Sequence, residues 1–366
     1  MSVLFEPISI GSMVVKNRFV RSATQDTLGN EDGSISEKEI LLYRRLAEND
    51  VGLIITAHSY VQHPLGRGSI RQNGIFNDSL IEGYQRLAAA VHPYGSKLVL
   101  QISHAGRQTA VDLPAGEQAI APSAVTDNST GITPRAMTSD EISQLIHAFV
   151  EAMVRAKRSG CDGVQLHIAH GYCLSQFLSP YTNRRTDEWG GCIKNRTRIL
   201  KEIILQGKQL IGDDYPVLVK LNSTDGYSGA GYLCLQDVLY TARLLESLGV
   251  SAIEVSGGIR ESKKVMSQPN IRQPEQEAYF APAAKKIKAV VNIPVILVGG
   301  IRSLSVMEDL ITRQTTDLIS LSRPFVKEPD LVNRLRHSQT KAACVSCNAC
   351  FSPNGLQCYY TGGINK

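Results

Sequence analysis

The hydrophobic residues of this chain fall into short runs that alternate with longer segments of helical periodicity. The runs are nearly continuous and aliphatic, which is the pattern of parallel strands buried on both faces. Between them, apolar residues recur every three or four positions, as in residues 36–48 and 139–159, with Ser139 and Asp140 as candidate caps of the second helix. The eight runs are residues 19–20, 52–56, 97–101, 163–166, 217–221, 252–256, 295–298 and 318–321.

Eight strand–helix units in 366 residues predict an α/β protein, a (β/α)8 TIM barrel. We expect the barrel to occupy residues 1–340 and a short Cys-rich C-terminal tail to occupy residues 341–366. The third and fourth connections contain the long loops 112–135 and 172–196. Both loops follow the carboxyl ends of strands, where barrel enzymes place their active sites, so we expect them to form walls of the site.

Composition narrows the function. The chain is 43% hydrophobic and 20% charged, with a net charge of +5, which is ordinary for a soluble globular enzyme. No dense run of lysine and arginine indicates nucleic-acid binding, and no apolar run approaches the roughly 20 residues of a membrane span. The N-terminus lacks the pattern of a secretory signal. We therefore expect a cytoplasmic protein.

The most informative residues follow the fourth predicted strand. His167, His170 and Tyr172 place two imidazoles and a phenol at the barrel mouth. Such groups can hold a carbonyl oxygen and deliver a proton. The alternative interpretation is that both histidines are structural residues with satisfied hydrogen bonds. A metal site would need a third ligand, for which the same loop offers no obvious acidic residue.

Other strand ends carry residues suited to a phosphorylated cofactor. Gly299–Gly300 ends the seventh strand and Ser322–Arg323 ends the eighth, and these two loops form the common phosphate site of barrels. Gln101 could read the pyrimidine edge of a flavin, and Lys220 could stabilise its anionic reduced ring.

Four cysteines crowd the C-terminus, namely Cys344, Cys347, Cys350 and Cys358. In a chain without a secretion signal, such a cluster favours metal or redox chemistry over disulfides. Four thiolates at these spacings could hold a 4Fe-4S cluster or a zinc ion, or could remain without metal.

Several motifs together resemble the old yellow enzyme family of FMN-dependent ene-reductases, the NADH:flavin oxidoreductases. The resemblance extends from about residue 4 to residue 336. The matching segments are Leu4-Phe5-Glu6-Pro7, Leu100-Gln101 with His104-Ala105-Gly106-Arg107, His167 to Tyr172, and Phe177-Leu178-Ser179-Pro180 with Asn183-Arg184-Arg185-Thr186-Asp187.

The resemblance implies a cofactor, a reaction and roles for residues. NADH or NADPH would reduce FMN, which would then reduce the double bond of an α,β-unsaturated carbonyl compound. His167 and His170 would bind the carbonyl oxygen, and Tyr172 would be the proton donor. The residues that would contact FMN are Ser22, Ala23, Thr24, Ala57, Gln101, Lys220, Gly299, Gly300, Ser322 and Arg323.

The tail resembles the cluster-binding segment of the 2,4-dienoyl-CoA reductase branch, which uses a longer third gap between cysteines. This likeness leaves a second hypothesis open, a reductase fed by a protein electron donor and acting on an enoyl or dienoyl thioester. A non-catalytic flavin-binding barrel is another, and an aldolase-type barrel with Lys220 as the Schiff-base lysine is a further one. We expect a homo-oligomer in each case.

Overall fold

The computed structural model describes residues 2–109 and 113–360, with the side chains of residues 263 and 264 left out. Residue 112 of the third long loop and residues 361–366 of the predicted tail lie outside the described residues. Each of the eight predicted runs forms a strand. The barrel strands are β1 (Phe19–Arg21), β2 (Leu53–Ile55), β3 (Lys97–Ser103), β4 (Gly163–Ile168), β5 (Val217–Asn222), β6 (Ala252–Ser256), β7 (Val295–Val298) and β8 (Leu318–Leu321).

The eight strands close into a parallel barrel. Each strand pairs with its neighbour in sequence, and β8 returns to β1 with Ile319 opposite Phe19 and Leu321 opposite Arg21. Closure leaves no unpaired edge among these strands. The predicted TIM barrel is therefore confirmed.

Helices follow the strands and cover the barrel. The N-cap of helix Ser139–Arg158 is Thr138 rather than Ser139, because the Thr138 hydroxyl accepts the Glu141 N–H while the Glu141 carboxylate accepts the Thr138 N–H. Within the described residues, no helix has the length and apolar character to cross a bilayer. The helices are α1 (Glu37–Glu48), α2 (Ile81–Val91), α3 (Ser139–Arg158), α4 (Cys173–Leu178), α5 (Ile193–Arg196), α6 (Arg198–Ile211), α7 (Leu235–Ser247), α8 (Lys263–Met266), α9 (Ala281–Lys288), α10 (Leu304–Thr312), α11 (Arg323–Lys327) and α12 (Leu331–His337).

Short elements complete the chain. Strands Ile8–Ile10 and Met13–Val15 form an antiparallel hairpin, and Ile120–Ala121 pairs with Arg135–Ala136. Strand Ser59–Tyr60 adds to β3. The 3-10 helices are Val3–Phe5, Asp78–Leu80, His92–Tyr94, Gly106–Gln108, Arg260–Ser262 and Pro274–Gln276.

The hydrophobic core has two parts. A large cluster fills the space between the strands and the helices. A smaller one fills the amino-terminal half of the barrel interior, where hairpin residues such as Ile10 and Met13 pack against strand residues such as Leu53, Leu218 and Ile296. Because this smaller cluster is apolar, the amino-terminal half of the barrel offers no room for a polar site among the described residues, and the site lies toward the carboxyl ends of the strands.

The long loops and the tail border that end of the barrel. Arg185 in the fourth connection donates hydrogen bonds to the carbonyls of Pro122 and Met137 in the third, at 3.0 and 2.7 Å. The tail starts beside β7, where Lys341 bridges to Ser303, and reaches the loop after β1, where the Leu356 N–H donates to the Asp26 carbonyl at 2.8 Å. The tail therefore runs along the rim from β7 to β1 and forms part of the cavity wall there.

Candidate active site

A cavity of about 490 Å³ opens at the carboxyl ends of the barrel strands. Volumes of this size are typical of sites for cofactors and small molecules. Its lining in the described residues includes four cationic side chains, Lys220, Arg260, Arg302 and Arg323, and no carboxylate. The predicted residues that line it are Ser22, Ala23, Thr24, Gln101, His167, His170, Tyr172, Lys220, Gly299, Gly300, Ser322 and Arg323.

Ala57 is the predicted cofactor residue that the cavity lining does not include. Its backbone N–H donates to the Tyr43 hydroxyl at 2.7 Å, which ties this position to α1. The next residue, His58, lines the cavity instead.

A buried carboxylate organises the floor of the cavity. Glu254 on β6 is fully buried, and its Oε1 accepts hydrogen bonds from the hydroxyls of Ser22 and Ser320 at 2.7 and 2.8 Å. Its Oε2 accepts from Gln165 Nε2 at 3.0 Å and lies 3.4 Å from Lys220 Nζ. One carboxylate on β6 thus joins residues of β4, β5 and β8 and the residue that follows β1.

The strand register explains why these groups meet. Lys220 on β5 stands opposite His167 of β4 on one side and Glu254 of β6 on the other. Lys220 is 2% exposed and also donates to the Ser22 hydroxyl at 2.8 Å. Burial lowers the pKa of Lys220, and the neighbouring Glu254 carboxylate opposes that shift.

Gln101 on β3 joins the same network. Its Nε2 donates to Gln165 Oε1 at 2.6 Å, and Gln165 in turn donates to Glu254. This bond commits the amino group of Gln101 and leaves its Oε1 available as an acceptor.

A left-handed turn places the aromatic edge of the site. His170 has φ +61° and Gly171 φ +78°, so the chain reverses after β4 and α4 begins behind Tyr172. Glycine suits this position, because an L side chain at φ +78° is strained and a Cβ would stand only 3.1 Å from Ile259 Cβ. The turn brings the Tyr172 ring beside the His167 ring, and their centroids are 4.8 Å apart. The ring centroids of His167 and His170 are 5.1 Å apart.

The two histidines are neutral hydrogen-bonding groups. Burial holds the pKa of His167 well below its usual value, and the neighbouring His170 and the cationic Lys220 lower it further. Burial and Lys220 also hold the pKa of His170 well below its usual value. His170 Nε2 lies 2.7 Å from the Ser256 hydroxyl. His167 Nδ1 is buried with no hydrogen-bond partner among the described residues, and such an atom marks a place for a ligand or water.

Tyr172 keeps its proton at neutral pH. Burial raises the pKa of its phenol to about 12, against a weaker opposite effect of Arg260. Its hydroxyl lies 3.2 Å from Nε2 of His58. A protonated phenol beside two neutral imidazoles is suited to bind an oxygen and to give up a proton.

The opposite end of the cavity carries the predicted phosphate-binding residues. Gly299 and Gly300 have φ +141° and +70°, and a Cβ at Gly300 would stand 2.7 Å from the Tyr279 ring. Ser322 bonds the Thr24 hydroxyl at 2.7 Å. Arg323 donates to the Gln268 carbonyl and to Asn348 Oδ1 at 2.8 and 2.6 Å.

The tail cysteines gather beside this end. Cys344, Cys347, Cys350 and Cys358 line one small pocket together with Arg323. Cys350 and Arg323 also line the large cavity, so the two pockets adjoin. Burial raises the pKa of the Cys344 and Cys350 thiols. Among the described residues, no three His, Cys, Asp or Glu side chains stand close enough to hold one metal ion.

The sequence interpretation missed several residues of the site. Glu254 and Gln165 each interrupt an apolar strand with a polar side chain, and this was the available signal. His58 stands two residues after the second run and Ser256 ends the sixth, and the sequence places both at strand ends without giving them a role. Ser320 and Arg302 complete the missed part of the lining.

The fold and the cavity together define a flavin-type barrel enzyme site, and comparison with known proteins identifies the family. The profile of the NADH:flavin oxidoreductase / NADH oxidase family matches residues 3–342, so the chain belongs to this family. The resemblance drawn from the motifs is confirmed at the level of family, fold and flavin-dependent oxidoreductase class.

Relatives agree with that assignment. An NADH oxidase from Thermoanaerobacter brockii is 38% identical over 347 residues, which are 94% of this chain and 52% of the relative. An NADPH dehydrogenase from Geobacillus sp. (strain WCH70) is 35% identical over 329 residues, which are 90% of this chain and 92% of the relative.

A solved 2-naphthoyl-CoA reductase in complex with 2-naphthoyl-CoA matches with a TM-score of 0.86 at 28% identity, over 94% of this chain and 54% of that one. The chain thus spans about half the length of the NADH oxidase and of this reductase, and nearly all of the NADPH dehydrogenase.

The Glu254 network generates a stability prediction. Glu254→Gln leaves the Lys220 ammonium buried without its counter-charge, so we expect a loss of about 3 kcal/mol in the free energy of unfolding. Chemical denaturation at neutral pH measures it. The control is Asp309→Asn, which breaks the exposed Arg313–Asp309 pair and should cost no more than about 0.5 kcal/mol. Equal losses in the two variants would contradict the role of the buried carboxylate.

A pH dependence follows from His104, which lies outside the cavity lining. Burial lowers the pKa of His104 to about 3, and its Nδ1 accepts the Gly106 N–H at 3.0 Å. The ring therefore protonates more readily in the unfolded chain, and stability falls as pH drops from about 6.5 toward 3. We expect the free energy of unfolding, measured by denaturation between pH 7 and 4.5, to fall less steeply with decreasing pH in His104→Gln than in the unaltered protein. The difference in slope should be at most about 1.4 kcal/mol per pH unit. His147→Gln, which removes an exposed ring, is the control; an identical slope in both variants would refute the prediction.

Proposed function

We propose that this chain is an FMN-dependent ene-reductase that uses NADH or NADPH to reduce the carbon–carbon double bond of an α,β-unsaturated carbonyl compound. The observation that carries the proposal is one cavity lined by a buried lysine and carboxamide together with two neutral histidines and a protonated tyrosine. This arrangement pairs a place for an anionic ring with a place for a carbonyl oxygen.

The donor set of the cavity fits FMN. Arg323 and the backbone of Gly299 and Gly300 suit a phosphate at one end, where cationic and glycine-rich groups converge. Gln101 Oε1 suits the imide N–H of the ring, and Lys220 suits its pyrimidine oxygen. FMN, when bound, supplies the hydride-transfer chemistry.

The protein residues would do the rest of the work. Lys220, kept cationic by Glu254, would favour negative charge on the adjacent ring. His167 and His170 would donate hydrogen bonds to the substrate carbonyl and make its β-carbon electrophilic. Tyr172 would deliver the proton from its hydroxyl to the α-carbon. Ser256 orients His170 through a 2.7 Å contact.

The Tyr172→Phe variant tests the proton-donor role. Loss of the hydroxyl should slow reoxidation of the reduced flavin by 2-cyclohexen-1-one about 10²- to 10⁴-fold, because the α-carbon then waits for a proton from water. Reduction of the flavin by NADH or NADPH should change less than about twofold. Anaerobic stopped-flow absorbance measures the two half-reactions separately. Equal slowing of both would contradict the assignment.

The rival readings predict different results in the same instrument. A non-catalytic barrel would bind FMN without reoxidation by any enone. In a reductase that takes electrons from a protein donor, NADH and NADPH would not reduce the flavin. Reduced ferredoxin would reduce it, and the reduced flavin would then be reoxidised by an enoyl thioester. The likeness to a reductase solved with 2-naphthoyl-CoA supports including acyl-CoA thioesters in the substrate panel. An aldolase-type Schiff base at Lys220 is disfavoured by its contacts with Glu254 and Ser22.

For the tail, we propose that Cys344, Cys347, Cys350 and Cys358 hold a 4Fe-4S cluster. Support comes from the convergence of all four thiols on one pocket. A 4Fe-4S cluster takes four cysteine thiolates as ligands, and this pocket offers four cysteines. Arg323 would offset part of the negative charge of four thiolates.

Metal analysis of anaerobically purified protein tests the tail assignment. We expect about four irons and four sulfides per chain, and Cys347→Ser should lose most of this iron. Cys192→Ser, which alters an exposed cysteine far along the sequence from the tail, should retain it. A content of one zinc and no iron per chain would contradict the cluster and indicate a zinc site. Absence of both metals would refute metal binding by the tail.

A further inference from the structure

His58 is a buried histidine beside the proposed proton donor. It follows β2, lines the cavity, and is 6% exposed. Its Nε2 lies 3.2 Å from the Tyr172 hydroxyl, and the two rings are 4.7 Å apart. The reaction outlined above gives His58 no role. Its remaining contacts determine which of its nitrogens carries the proton.

The Gln72 side chain has a fixed orientation. Its Oε1 accepts the Gly68 N–H at 2.7 Å, and its Nε2 donates to the His58 carbonyl at 3.1 Å. If the amide oxygen and nitrogen of Gln72 were exchanged, its NH₂ group would face the N–H of Gly68, and its oxygen would face the carbonyl of His58. Neither contact could then be a hydrogen bond. Gln72 is 5% exposed, so water cannot readily replace either bond.

The oriented amide fixes the tautomer of His58. Gln72 Nε2 also lies 2.8 Å from His58 Nδ1, and its second hydrogen is available for that contact. Nδ1 must therefore accept. The Ser103 hydroxyl, 3.1 Å from the same nitrogen, can donate as well. Burial and the charge of Lys220 lower the pKa of His58 to about 4, so the ring is neutral and has a single N–H, on Nε2.

We propose that Gln72 and His58 form a positioning relay in which His58 Nε2–H donates to the Tyr172 oxygen and leaves the phenolic proton directed at the substrate. The proposal rests on the proton-donor role of Tyr172 proposed above. Among the described residues the Tyr172 hydroxyl has no other hydrogen-bond partner. With the opposite tautomer, His58 Nε2 would be an acceptor, and the phenolic O–H would donate to it instead of to the substrate.

The relay acts twice in one turnover. Before transfer, it prevents the phenolic O–H from turning toward the histidine. During transfer, the bond from the phenol oxygen to its proton breaks, and that proton forms the new C–H bond at the α-carbon of the substrate. The negative charge left on the phenol oxygen then accepts the Nε2–H bond, which is stronger to an anion than to a neutral oxygen. His58 remains neutral throughout, and water later restores the proton on Tyr172.

The tautomer can be measured directly. Long-range ¹H–¹⁵N NMR of the FMN-loaded protein, labelled with ¹⁵N-histidine, separates protonated from unprotonated ring nitrogens. The chain has eight histidines, and the signal of His58 is the one missing in His58→Phe. We expect an Nε2-protonated ring at pH 7, and a mixture of tautomers in Gln72→Met. An Nδ1-protonated ring or an imidazolium would overturn the proposal, whatever the kinetics show.

Kinetics test whether the tautomer matters. His58→Phe should slow reoxidation of the reduced flavin by 2-cyclohexen-1-one about 10- to 100-fold, the effect of losing one hydrogen bond to a developing anion. Flavin reduction by NADH or NADPH should change little. His58→Gln, which restores an amide donor near the position of Nε2, should recover part of the rate. No recovery alongside an intact fold would count against the donor role.

A double variant separates this proposal from the proposed function. In a Tyr172→Phe background, His58→Phe should cause no further slowing, because its partner oxygen is gone. Full slowing in that background would overturn the relay while leaving Tyr172 as the proton donor. If Tyr172→Phe alone leaves reoxidation unchanged, the proton-donor role fails, and the relay built on it fails too, although the NMR result would still report the tautomer.

Discussion

The site depends on a single buried carboxylate. Glu254 stands inside a barrel whose lower half is apolar, where an isolated charge would be strongly disfavoured. It is tolerated because two hydroxyls, one amide and one ammonium group surround it. These partners come from strands that are far apart in sequence, so the carboxylate fixes the geometry of the cavity floor and keeps a cation there despite burial.

The aromatic edge is built by different means. His167 lies on β4, and a left-handed turn after that strand brings His170 and Tyr172 beside it. Burial keeps the imidazoles neutral and the phenol protonated. The floor thus supplies charge, while the edge supplies neutral donors. A barrel allows this division because every strand ends at the same rim, and the rigid strands hold each group in place.

Much of this could be predicted from the sequence, and the exceptions have physical causes. Continuous apolar runs identified all eight strands, and residues at or just after their carboxyl ends identified part of the cavity lining. Ala57 remains a prediction as a flavin-contacting residue, since the cavity lining includes its neighbour His58 and not Ala57 itself. The α3 cap was wrong by one residue, because Thr138 rather than Ser139 has the glutamate three positions later.

Glu254 and Gln72 show a deeper limit of sequence reasoning. A strand buried on both faces carries no alternation that says which side chain points inward, so the role of Glu254 depends on the closed barrel. Gln72 lies fourteen residues from His58, and only the folded loop brings its amide to the ring. Such contacts between loops have no local sequence pattern.

Arg323 serves two parts of the molecule at once. It bonds Asn348 in the tail, and it lines both the large cavity and the cysteine pocket. By thermodynamic linkage, an anionic ligand that engages this guanidinium and the ordering of the C-terminal segment must influence each other by the same free energy. Affinity for such an anion and resistance of residues 341–360 to proteases would accordingly rise and fall together.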